Sequence, residues 1–153
     1  MQIIPSKIVH KASLLFGLES SAHFYARSHL HSSANVFRSN NTALKICLQS
    51  TADQVSDLRE RIGFAHHLQS SGIHTQCFLS SINSNHTETL EDNDNTYYCY
   101  AWTWIQGSTM NDIHPKDLAL YYADWGRLAA ECHKAAQGFN GNSTLSWYDE
   151  WQD

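Results

Sequence analysis

Lys45 stands in the stretch TALKICLQ, where Leu44, Ile46 and Leu48 alternate as one buried face of a strand. Ala43, Lys45 and Cys47 fall on the other face, so the lysine is flanked by two small side chains. Taken alone, such a lysine faces water on a half-exposed sheet. Its surroundings decide whether it is instead a fixed cation for a ligand. The remaining chemistry-bearing residues are less ordered. Cys47, Cys77, Cys99 and Cys132 form no CxxC pair and read as buried, reduced thiols. Of ten histidines, only His66–His67 and His29/His31 lie close together, and neither pair has Cys or carboxylate partners at metal spacing. A surface or half-buried position is the better reading of these histidines, and His133 reads as packing in its helix and not as catalytic. Glu88, Glu91, Asp92 and Asp94 read as a solvated acidic loop.

The 153 residues suffice for one domain with a core, and 42% apolar content excludes a disordered chain. A net charge of −5 with no run of Lys or Arg argues against nucleic acid and anionic membrane as partners. No apolar stretch approaches the roughly 20 residues of a membrane span. The N-terminus is broken by Pro5, Lys7, His10 and Lys11 and does not read as a signal peptide, so a cytoplasmic location is expected.

Periodicity predicts a helix over 6–16, stopped by Gly17. Strands follow at 23–30, 36–39 and 42–49, with turns at HSSAN and NN. Val55, Leu58, Ile62, Ala65 and Leu68 give the helix of 50–72 one apolar face. A fourth strand is predicted over 73–81, a polar loop over 82–95 and an aromatic strand over 96–105. From Pro115 to Ala136 one helix carries a wide stripe that includes Leu118, Tyr121, Tyr122, Trp125 and Leu128.

This order, with Lys45 on the third strand, resembles the aminoglycoside phosphotransferase and choline kinase-like family of the protein kinase-like fold. TALK (42–45) is similar to the family's V-A-I-K or V-L-K strand motif, and HSSANVF (31–37) sits where its phosphate-covering loop belongs. RIGFAHHLQSSGI, YAWTWIQG and GRLAAECHKA resemble the next helix, the hinge strand and the helix after the hinge. The likeness runs from about residue 6 to residue 137. It implies an α+β fold: a kinase-like N-lobe whose five-stranded antiparallel sheet has one helix packed on it, an N-terminal helix, and a C-terminal helix from a truncated C-lobe. Residues 1–104 would be the nucleotide-binding lobe, and 105–153 the hinge and first helix of an incomplete C-lobe.

The resemblance also implies a site for ATP. A cation on a stiff strand holds the α/β-phosphates with little ordering entropy. Lys45 is that cation, Ala43 packs over adenine, and Ser32, Ser33 and Asn35 belong to the phosphate-covering loop. Backbone groups of Thr103, Trp104 and Ile105 would meet the adenine edge. A helix glutamate should hold the lysine, and Glu60 is the only glutamate on that helix. Aligning Phe64, Leu68 and Gly72 puts Arg61 in that slot instead, and one residue is about 100° of helix rotation. The choice between Glu60 and Arg61 stays open on the sequence.

Phosphoryl transfer further needs a catalytic Asp and two Mg²⁺ ligands. The family takes them from H-G-D…N and I-D-[FW] segments, and no His-x-Asp triplet occurs in this chain. The expectation is therefore the ATP-binding portion of a small-molecule kinase, inactive alone, whose Mg²⁺ ligands lie outside the chain. A truncated gene product or a separately encoded half would account for it. The 115–136 helix would contact the missing C-lobe or a second copy. The alternatives are a non-catalytic kinase-like module that engages a protein partner, and an unrelated α+β domain.

Overall fold

The structure is a computed structural model and describes residues 4–18, 23–24, 35–49, 51, 53–104 and 114–140. Helix α1 spans Ser6–Leu15. It ends where Gly17 takes φ +64, with Leu18 N–H donating to Ser13 O and Gly17 N–H to Leu14 O. That is a Schellman closure, which favours glycine because a Cβ is strained there. Ile8 and Ala12 of α1 are wholly buried. With Ile4, Phe16 and Leu18 they pack on Leu44, Ile46, Tyr97, Cys99 and Ala101 of the sheet and form the main core. The N-terminal helix is thus the cover of one sheet face and not an appendage to it.

Strands β2 (Asn35–Ser39), β3 (Thr42–Leu48), β4 (Glu88–Asp92) and β5 (Asn95–Thr103) pair antiparallel. The short β1 (His23–Phe24) pairs with Phe37 and Arg38 at the far edge, giving the order β1-β2-β3-β5-β4. The part of the strand expected over 23–30 beyond Phe24 lies outside the described residues. Asn40 turns between β2 and β3 with φ +50, and Asn93 turns between β4 and β5 with φ +52. Asn tolerates that left-handed region better than most residues.

Two expectations are corrected on the last edge of the sheet. The stretch 73–81 is not a strand. It touches β5 only through a bridge from Phe78 to Trp102, with Leu79 N–H donating to Ala101 O and Thr103 N–H to Cys77 O. The reason is occupancy, since β4 already holds the N-terminal half of the same β5 edge, from Asn95 to Cys99. Conversely, the acidic stretch expected as a solvated loop supplies β4. Asp92 is buried and ion-paired with Lys7 of α1, and Glu88 accepts from Ser81 Oγ, Asn83 Nδ2 and Asn85 Nδ2. The expectation of four buried thiols also fails at Cys77, which is exposed, while Cys47 and Cys99 are buried.

Helix α2 spans Asp53–Ser70 and buries Val55, Leu58, Ile62 and Leu68. After a 3-10 turn at Pro115–Asp117, helix α3 spans Leu118–Ala136. Its C-terminal end meets α2: His67 Nε2 donates to Ala135 O at 2.9 Å, and Phe139 packs on Phe64 and His67 with centroids at 5.1 and 5.4 Å. The rest of α3 projects away, with Leu120, Tyr121, Tyr122, Trp125 and Leu128 exposed.

Candidate functional site

The sheet face opposite α1 carries the site residues. Register places Arg38, Ala43 and Trp102 in one cross-strand row and Val36, Lys45 and Tyr100 in the next, with Cys47 beside Tyr98. Directly opposed residues of an antiparallel pair share a face, so this row pattern follows from the alternation that buries Leu44 and Ile46 on the other side. Lys45 is half-buried, with Nζ 6.0 Å from the Tyr100 ring centroid. Ala43 is wholly buried between its neighbours Arg38 and Trp102. Phe78, Tyr100 and Trp102 form an aromatic layer with centroids 6.0 and 5.6 Å apart, and the Arg38 guanidinium lies 4.4 Å from the Trp104 ring centroid. The sequence reading did not single out Phe78 or Arg38. The Arg38 position opposite Ala43 was available once the NN turn fixed the β2–β3 register.

Electrostatics narrow what this face can do. Burial pushes the Cys47 thiol up, against a hydrogen bond with Tyr98 and the charge of Lys45. A thiol held protonated is not a nucleophile. Burial likewise raises Tyr98 and Tyr100, with the nearby Arg61 charge opposing it in both. Both phenols stay neutral near pH 7, and Lys45 is the cation fixed on β3.

The contacts of α2 sort its residues into flanks. One flank, Arg59, Ile62, Gly63 and His66, lines an open cleft of about 310 Å³ with Ser84, Asn85, His86 and Thr87. A second flank, Phe64 and His67, meets Phe139. Glu60 precedes those two by four and seven residues and so lies on their flank, toward the end of α3. Arg61 is exposed, and its charge works against the upward shift of Tyr98 and Tyr100. Among the described residues Lys45 and Glu60 form no ion pair with each other.

At the end of β5, Thr103 N–H donates to Cys77 O and Trp104 N–H to Asn41 O, at 2.9 and 2.8 Å. Those two donors are engaged within the fold. Ser32, Ser33 and Ile105 lie outside the described residues, and of Asn35 only its strand position opposite Ile46 is described. The His66 and His86 rings meet edge to face at 4.6 Å, with Phe78 at 6.5 Å from His66. Desolvation and then the His86 charge hold His66 below the usual histidine value. Among the described residues no three His, Cys, Asp or Glu side chains group to hold a metal ion.

No family model matches the chain, and no curated protein matches its sequence. Solved structures do match its fold. An amicoumacin kinase in complex with AMP-PNP, Ca²⁺ and Ami aligns at a TM-score of 0.78 with 15% identity, covering 98% of this chain and 46% of that one. A microcompartment-associated aminopropanol kinase gives 0.70 at 12% identity, covering 94% and 45%. A spectinomycin phosphotransferase with ADP and spectinomycin gives 0.59 at 13% identity, covering 88% and 39%. The chain has the fold of aminoglycoside phosphotransferases and related small-molecule kinases, and it spans less than half the length of each of these structures.

Proposed function

We propose that the chain is the nucleotide-binding N-terminal lobe of a small-molecule phosphotransferase, residues 1–104, followed by the hinge and first helix of a C-lobe, residues 105–153. The observation that carries this reading is Lys45. It is the cation fixed on β3, on the open sheet face, in a chain whose fold neighbours hold AMP-PNP and ADP. Lys45 would pair with the α/β-phosphates of ATP. Because Ala43 is wholly covered, the flat apolar surface for adenine is Trp102 beside it. With the Thr103 and Trp104 amides engaged, the adenine edge would meet the Thr103 carbonyl and the backbone of Ile105. Ser32, Ser33 and Asn35 would close over the phosphates.

Transfer to an acceptor hydroxyl requires a catalytic Asp and metal ligands, and among the described residues no three His, Cys, Asp or Glu side chains group to hold a metal ion. On this reading the chain alone is a binding unit. The bare stripe of α3 supports a C-terminal lobe, or a second copy, as what α3 contacts. The same stripe favours a second reading, a kinase-like module that engages a protein partner through α3.

Titration of ATP against the wild-type chain and Lys45→Ala tests the first reading. Saturable binding is expected in the wild type and a loss of at least tenfold in the variant, as for a charge-assisted contact. Equal or absent binding in both would overturn it.

A further inference from the structure

The cleft between α2 and the segment entering β4 carries three basic side chains, Arg59 and His66 on the helix wall and His86 on the other, and no carboxylate among its lining residues. Arg59 Nε donates to Thr87 Oγ1 at 3.2 Å, which fixes the guanidinium plane and leaves its terminal amino groups without a partner among the described residues. A carbonyl only accepts, so His86 Nδ1 donates to Leu79 O and Nε2 is the nitrogen left for a ligand. The His66 and His86 ring centroids lie 4.6 Å apart. The wall opposite α2 is held by Ser81, whose Oγ accepts from the Asn83 and Asn85 amides. The Glu88 carboxylate next to this wall is taken up by Ser81 Oγ, Asn83 Nδ2 and Asn85 Nδ2. Gly63 keeps the helix wall bare. A glycine inside a helix is unfavourable relative to alanine, yet a Cβ there would meet nothing within 4 Å, so no close approach within the described fold calls for it. The space of about 310 Å³ is at the small end of ligand pockets and suits a small molecule.

We infer that this cleft binds a small oxyanion, phosphate or the phosphate group of a phosphomonoester, at a site separate from the sheet face of Lys45. The terminal amino groups of Arg59 form a fork for two of its oxygens, His86 Nε2–H supplies a further charged donor, and Ser84 and Asn85 add neutral ones. Desolvation first, and then the His86 charge, disfavour the charged form of His66. A bound dianion acts in the opposite sense and draws a proton onto that ring, so affinity rises as pH falls through the histidine range. The inference stands whether or not Lys45 holds a nucleotide.

The test is an NMR titration of the histidine ring resonances in the intact chain with inorganic phosphate, glycerol 3-phosphate and sulfate. Expected is saturable movement of His66 and His86 together, with affinity weaker by about tenfold or more in Arg59→Gln. Gly63→Leu should abolish binding by filling the cleft, with a melting temperature no lower than wild type, because it replaces a helical glycine and meets open space. Sulfate, whose charge is constant in this range, should bind more tightly at about pH 6 than at about pH 8. Tighter binding of glycerol 3-phosphate than of inorganic phosphate would assign the ligand as an ester, and the reverse order as the free ion. Movement without saturation, unchanged affinity in either folded variant, or a sulfate affinity independent of pH would overturn the site.

Discussion

Cys99 shows how far a single buried group departs from its ordinary chemistry. Its thiol is wholly buried under α1 and donates to Glu88 O, and its pKa is pushed up to about 12, chiefly by burial and then by the Glu88 charge. The folded state therefore keeps the proton that the unfolded thiol gives up near 9. The associated stability is complete below pH 9 and is lost progressively as pH rises from there toward 12. Urea midpoints should fall between pH 9 and 10, before the tyrosines begin to contribute, and Cys99→Ala should flatten that fall. Labelling of the native chain with a thiol reagent should mark Cys77 quickly and leave Cys47 and Cys99 untouched until unfolding. At this scale the sequence located Lys45, Ala43 and their shared face correctly, because alternation is a local property. It left Glu60 or Arg61 open, because the seating of α2 depends on contacts such as Phe64–Phe139, far along the chain.

Among the elements, α1 matters more than its terminal position suggests. Ile8 is fully buried and Leu14, on the same helix, is 57% exposed. Ile8→Ala should cost about 2–5 kcal/mol in a denaturant titration, whereas Leu14→Ala should stay within about 0.5 kcal/mol. Equal effects would mean that α1 does not pack as described. The helices and the β2–β3 hairpin were legible because their apolar residues repeat at 3.6 or at 2. Strand β4 was not. Its alternating positions include Glu88 and Asp92, which are compatible with a sheet only because Ser81, Asn83, Asn85 and Lys7 neutralise or solvate them. The stretch 73–81 misled in the opposite sense, having strand composition but competing with β4 for one edge.

For the whole molecule, the long helix α3 is the feature out of balance. Trp125 is 67% and Leu120 66% exposed, beside Tyr121, Tyr122 and Leu128. A stripe of that kind drives association when nothing covers it. Sedimentation of the chain should show mass rising with concentration, and Trp125→Glu should return it to the monomer. A monomer at all concentrations would instead favour a dedicated protein partner.

The two amides at the end of β5 carry a mechanical consequence. Thr103 is tied on one side to Cys77 and Trp104 on the other to Asn41, so successive residues are anchored to opposite flanks. The sheet is held rigid up to Trp104. A load on the C-terminal end of β5 is therefore shared between the flanks at Cys77 and Asn41 and does not bend the strand alone.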